Sequence, residues 1–387
     1  MSTRPHQPLP SVRRSDGAQT AAPRVVRAGE LFWVSGIRGV DADGVRPATP
    51  PEEIALAWRN LTDVLARDDL PAGQVGLVTT FLATRELRAH VDDGWLALYP
   101  DPGDRPARKT TLCPLPAGDA VQLQAIGVLH GGRRVVEVDG LAHKGPLPNG
   151  ARIGDYVFSS VLVPQDRGTG VTPEDPRRQT DMCFDNLQAF MEVAGADVGD
   201  VALQWVYLDD WRYQPDMVQA YLRTWPSGGY QPARKTFATS MPSQIQMQVI
   251  GRVGGSRECL ELPGVSHHDP IPLAARIGPL LCSSGIRASD AATRTGLAAG
   301  PEEAVRQAGL GLEQVVALLH AAGGTAADIG LLTALVQDAG DADAIEAVVA
   351  QMLPTAPALQ VLQLGVKNRV RVQLHVMAVM AGLGGRS

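Results

Sequence analysis

The chain repeats itself about every 125 residues, and no other feature narrows its possible folds as far. The first marker of the repeat is an apolar strand running into serine. FWVSG ends at Gly36, YVFSS at Ser160 and LLCSSG at Gly285. The serines Ser35, Ser160 and Ser284 stand 125 and 124 residues apart (160 − 35, 284 − 160). The second marker is Pro-Ala followed by a long side chain. RPARKT carries Arg108, QPARKT carries Arg234 and APALQV carries Leu359, at spacings of 126 and 125 (234 − 108, 359 − 234). The third is a strand with two polar residues on one face: Gln122 and Gln124, Gln246 and Gln248, then Gln373 and His375. Three markers with one period divide the 387 residues into tandem units at 23–134, 140–255 and 264–383, the last degenerate because it lacks the arginine. Residues 1–22 are expected to be a disordered leader. The connectors, VEVDGLAHKGPLPNG and ECLELPGVSHHDP, are rich in Gly and Pro and read as linkers.

Within a unit the pattern predicts ββαβαββ. A strand pair comes first, around Leu31–Ser35 in the first copy, followed by a Gly/Asp/Pro-rich turn. Thr49 and Glu52 then form a capping box for a helix whose Ile54, Trp58, Leu61 and Leu65 make one apolar stripe. Its counterpart in the second copy is expected to stop at Gly195. A β-branched strand follows (QVGLVTTFLAT, VALQWVYL, IGLLTALV), then a helix ending at proline, then two strands. This is an α+β layer with two helices on one face of a mixed sheet. The bare face needs a partner, and three sheets around a central axis, as a barrel of sheets, would bury it.

Composition excludes several classes of function. A net charge of −6 gives no electrostatic reason for a nucleic-acid partner. No apolar run reaches the length of a membrane span, and the first residues lack a secretory apolar core, so a cytoplasmic location is expected. Cys113, Cys183, Cys259 and Cys282 are scattered without a CxxC, and the adjacent pair His267-His268 suits a polar linker as well as a metal. No metal and no cofactor are expected. There is no GxGxxG after a strand, no Walker loop and no GxSxG elbow.

The element order and markers resemble the RidA/YjgF family, of chorismate-mutase-like fold. The second copy matches best, through GPLPNGARIGDYVFSSVLVPQDRGTG, QTDMCFDNLQAFMEVAGADVGDV and QPARKTFATSMP followed by IQMQVIG. The first keeps VSG, WRNL and RPARKTTLCPLP; the third keeps CSSG and is worn elsewhere. Family members are usually homotrimers with clefts between subunits. The resemblance therefore implies a monomer with pseudo-threefold symmetry and three inter-unit clefts.

It also implies roles for residues. The arginine after Pro-Ala binds a substrate carboxylate, for which a planar fork is suited. That role falls to Arg108 and Arg234, while Leu359 cannot take it. Thr110 and Thr236 share a strand side with these arginines, at a position where the family often has Cys; Lys109 and Lys235 are expected to point the other way. Deaminase members carry Glu where this chain has Gln122, Gln246 and Gln373. An amide is no general acid or base, although it orients a water or holds a carbonyl. The serine loop implies substrate contacts from Ser35, Gly36, Ser160, Ser284 and Gly285, with Val161 crowding the second copy. Arg38 and Arg287 either add charge at their clefts or stand as solvated loop residues. His375 is either a packed sheet histidine or a titrating group. Glu52, Glu53, Asp92 and Asp93 fall on helices, and the pattern places none of them in a cleft.

Three functions fit these residues. One is a RidA-like enzyme acting on a small carboxylate-bearing enamine, imine or related unsaturated metabolite, specialised towards biosynthesis because Glu is absent. A second is a chorismatase-like hydrolase, lyase or cyclase of a carboxylated ring. The third is a non-catalytic binder of small carboxylates.

Overall fold

The structure, a computed structural model, describes residues 25–226, 228, 230–265, 267, 269–287, 301–364 and 370–380. The expected leader, His268 and the end of the third unit lie outside the described residues. The first unit runs β1 (Val25–Ala28), β2 (Leu31–Arg38), α1 (Pro50–Arg67), β3 (Val75–Leu82), α2 (Val91–Leu98), β4 (Ala107–Leu112) and β5 (Val121–Val128). After β6 (Arg133–Val136), the second runs β7 (Gly150–Ile153), β8 (Tyr156–Ser159), α3 (Pro176–Val193), β9 (Val201–Leu208), α4 (Gln214–Thr224), β10 (Ala233–Ala238) and β11 (Ile245–Arg252). After β12 (Arg257–Leu260), the third runs β13 (Ala274–Ile277), β14 (Leu280–Ser283), α5 (Pro301–Ala321), β15 (Ile329–Val336), α6 (Ala342–Met352), β16 (Ala358–Gln363) and β17 (Val372–Val379). The predicted ββαβαββ order therefore occurs three times.

Local chemistry sets the elements. Thr49 and Glu52 cap α1 reciprocally, and Ile54, Trp58, Leu61 and Leu65 are all buried under it. The second copy's helix ends just before Gly195, whose φ of 70° is left-handed. Each sheet is mixed. Its last-but-one strand runs parallel to the strand before it (β4 with β3, β10 with β9, β16 with β15), and the remaining pairs are antiparallel.

The bare sheet faces meet at the centre. One core draws on all three units, including Leu31, Trp33, Tyr156, Phe158, Leu280 and Met377. Small residues permit the approach. The Trp33 ring lies where a Cβ on Gly330 would stand, and the Phe158 ring does the same at Gly76. Contacts close a ring: β3 and β4 against β7 and β8, β9 and β10 against β13 and β14, β15 and β16 against β1 and β2.

Two expectations need correction. The three sheets do surround the axis, but the barrel they make is not closed: among the described residues, separate sheets of five, six and six strands pack face to face with no strand pairing between them. Side-chain burial suffices to join them, since each sheet has already satisfied its own backbone. The connectors are also more than linkers. β6 pairs with β7, and β12 with β13, so the chain joins the edge of the following sheet just before the first connector and within the second. A backbone laid against that edge finds the hydrogen-bond partners it needs.

Candidate functional site

Each cleft lies where the edge strand of one unit meets the serine strand of the next. The first joins units one and two, the second two and three, the third three and one. In the first, the Arg108 backbone N–H donates to Ser160 Oγ at 2.9 Å; in the second, that of Arg234 donates to Ser284 Oγ at 3.0 Å. The serine hydroxyls therefore hold the arginine strands across the unit boundary.

In the second cleft, Arg234 is the second residue of β10 and lies over the Tyr221 ring of α4, 4.6 Å from its centroid. Its side chain is almost wholly buried and ion-paired to Asp269. Among the described residues, its Nε and Nη1 have no hydrogen-bond partner. A cavity of about 190 Å³ opens here, lined among others by Arg234, Thr236, His267, Gly285, Arg287 and Gln373. Lys235 lines it too, donating to Gln373 Oε1 across the boundary. The first cleft repeats the plan. Arg108 lies 4.8 Å from the Trp95 ring centroid and 2.7 Å from Asp92, and Lys109 Nζ donates to Gln246 Oε1 at 3.0 Å.

The lysines do not turn away from the clefts as expected. β4 and β10 are edge strands, so side chains from either strand face reach around the edge into the neighbouring unit. Burial pushes Lys109 down to about 7, helped by Arg88, and Lys235 down to about 7, helped by Arg287. Asp92 likewise enters the first cleft, because α2 lays its first turn over Arg108.

The third cleft is filled by its own side chains. Leu359 and Gln360 replace Arg and Lys on β16. Gln360 Nε2 donates to Gln122 Oε1 at 2.7 Å, and Gly36 N–H and Ser35 Oγ donate to Gln360 Oε1 at 3.3 and 3.1 Å. Gln122 donates in turn to Asp119, which holds Arg38 in a buried two-pronged pair at 2.6 Å in each arm. Arg38 is thus neither a cleft charge nor a solvated residue. His375 is a packed histidine, edge-on to Trp205 at 5.6 Å, and burial pushes it down to about 3.

No family model matches the chain. A RutC family protein of Pyrococcus abyssi is 29% identical over 107 residues, covering 27% of this chain and 83% of that protein. A 2-iminobutanoate/2-iminopropanoate deaminase of Salmonella typhimurium is 35% identical over 66 residues, covering 17% of this chain and 52% of that enzyme. Both matches are to RutC/RidA-type proteins, so the chain is similar in sequence to the RidA/YjgF family. It spans about half the length of the imine deaminases it matches. Among solved structures, RidA from an Antarctic Psychrobacter covers 31% of this chain with 99% of its own length, at 21% identity and a TM-score of 0.30.

Some residues of the clefts escaped sequence reasoning. His143 and His267 come from the connectors and stand beside the two Arg-Lys pairs. Burial first, then the neighbouring cations, push them down to about 4 and about 3. The aromatic floors, Trp95 and Tyr221, also went unread. The repeat itself carried the signal: the histidines are 124 residues apart (267 − 143) and the floors 126 (221 − 95). No helix among the described residues is long and apolar enough to cross a membrane.

Proposed function

We propose that this chain is a RidA-like enzyme that hydrolyses a small carboxylate-bearing imine or enamine at its first two clefts and not at the third. The observation that carries this reading is the buried Arg234 guanidinium at the cavity wall, with Nε and Nη1 unpartnered among the described residues. A buried donor without an acceptor costs about 1–3 kcal/mol, which a substrate carboxylate would recover by replacing Asp269 in the fork. Tyr221 beneath the guanidinium and the Ser284 lock above it fix the fork before substrate arrives. Arg108, over Trp95, repeats the arrangement. The activity for which the deaminase relatives are named makes 2-iminopropanoate the first substrate to try. The ring of three units closes within one chain, so the enzyme would work as a monomer.

One observation favours a second reading. Gln246 and Gln373 offer no titratable proton, so a cleft relying on them would bind a carboxylate without turning it over. The test is release of ammonia and 2-oxo acid from freshly generated 2-iminopropanoate. Wild type should exceed the uncatalysed rate. Arg108→Ala and Arg234→Ala should each remove part of it, and the double variant should lower it at least ~100-fold. Pyruvate binding without ammonia release would select the binding reading.

A further inference from the structure

We infer that the ε-amines of Lys109 and Lys235 are the proton-carrying groups of the two arginine-bearing clefts, each held in place by a glutamine of the neighbouring unit. This rests on the imine-hydrolysis reading above and supplies the group that reading lacks.

The geometry occurs twice and fails once. Lys235 follows the carboxylate-binding arginine on an edge strand, lines the same cavity and donates to Gln373 Oε1. Lys109 likewise follows Arg108 on an edge strand and donates to Gln246 Oε1, with Nζ 4.1 Å from the Tyr207 ring centroid. In the third cleft the arginine and the lysine are lost together, as Leu359 and Gln360. A lysine that merely filled space would have no reason to disappear with the carboxylate anchor.

The surroundings favour the neutral amine. Both lysines are 6% exposed. The groups facing Lys235 are Arg234, Arg287, His267 and His375, with Asp269 engaged by Arg234. Those facing Lys109 are Arg88, Arg108 and His143. A carboxylate in place of Gln373 or Gln246 would hold the lysine as an ammonium ion; an amide oxygen accepts from the amine without supplying a countercharge. Burial and the neighbouring cations push each lysine down to about 7, close to the working pH of a proton carrier.

The chemistry balances with one proton moved in each step. Water oxygen forms a bond to the imine carbon and the C=N π pair moves to nitrogen. The amine takes one proton from that water and returns it to the nitrogen, giving a carbinolamine. The amine then takes the hydroxyl proton and passes it to the amino nitrogen. The C–N bond breaks with its electron pair on departing ammonia, and the oxygen closes to the 2-oxo acid. Lysine begins and ends neutral, and no oxidant or reductant is needed.

The experiment compares full-length wild type with the double variants Lys109→Met/Lys235→Met and Lys109→Arg/Lys235→Arg on 2-iminopropanoate between pH 6 and 9, with thermal unfolding as the folding control. Arginine keeps the charge and cannot deprotonate. Both variants should lose at least ~100-fold in kcat with KM within about threefold. Wild-type kcat should rise through a limb near pH 7, and Gln373→Glu combined with Gln246→Glu should move that limb upward. An active wild type with either folded variant at full kcat overturns the lysine inference and leaves imine hydrolysis standing. If neither variant folds, a wild-type kcat flat from pH 6 to 9 overturns it. A folded wild type that releases no ammonia overturns the hydrolysis reading and this step together.

Discussion

The second and third clefts occupy equivalent places in one ring, yet one is an unfilled cavity and the other a closed hydrogen-bond network. In the second, Arg234 and Lys235 bring two buried cations to the wall, and the only carboxylate that pairs with Arg234 among the described residues is Asp269. In the third, Leu359 removes the first cation and Gln360 replaces the second with an amide that both donates and accepts. It satisfies Gln122, Ser35 and Gly36 at once. A polar network with every member partnered is rigid and leaves nothing for a ligand to complete. Fusing the units allows this division, because a homotrimer must use one sequence in all three clefts. The carboxylates show the same freedom. Asp269 stands where the first cleft has Gly145, and Asp92 stands where the second has Val218, at offsets of 124 and 126 residues (269 − 145, 218 − 92). Each arginine-bearing cleft thus draws its internal carboxylate from a different element.

The largest expected effect lies in the closed cleft. Asp119→Ala strands Arg38 and removes the acceptor of Gln122, so denaturant unfolding should show a loss of about 3–5 kcal/mol. A loss below about 1 kcal/mol would mean that the third cleft is not the structural one, and the contrast would fail.

Next comes the pH dependence of stability, to which the arginine-bearing clefts contribute. Lys109 and Lys235 are held well below the ordinary lysine value by burial, so the unfolded chain binds more protons between about pH 7 and 10.5. Their contribution to stability therefore rises with pH across that window. The histidines His143 and His267, pushed down to about 4 and about 3, give a separate rise from there to about 6.5. Melting temperatures should climb through the lower window and from about pH 7 to about 8; above that the buried thiols Cys113, Cys183 and Cys282, pushed up by burial, pull stability down as the unfolded chain's thiols ionise. Lys109→Met/Lys235→Met should flatten only the upper rise, and an unchanged upper slope would show that the amines do not titrate as described.

The smallest effect concerns the internal anion. Asp269→Asn should free the Arg234 fork and tighten pyruvate binding at the second cleft about threefold to tenfold, roughly 1 kcal/mol, by calorimetry. Weaker binding would mean that Asp269 positions the arginine instead of competing for it.

Much of this was legible in the chain. The 125-residue period, the ββαβαββ order, the α1 capping box and the apolar stripe of Ile54, Trp58, Leu61 and Leu65 are local patterns, and local hydrogen bonding and periodic burial impose them wherever the unit sits. The same period also marked Arg108 and Arg234 as special and Leu359 as the exception. The side on which Lys109 and Lys235 act was not legible, because alternation along a strand gives sheet faces and does not say which strand lies at an edge. Nor could the sequence show that connector histidines would be buried beside those lysines, or that Asp92 and Asp269 would meet the arginines. Those contacts join residues of different elements, most of them across a unit boundary, and they exist only once three sheets have closed around the axis. The repeat determined what each unit is; the packing of one unit's edge against the next decided which clefts hold charge and which is sealed.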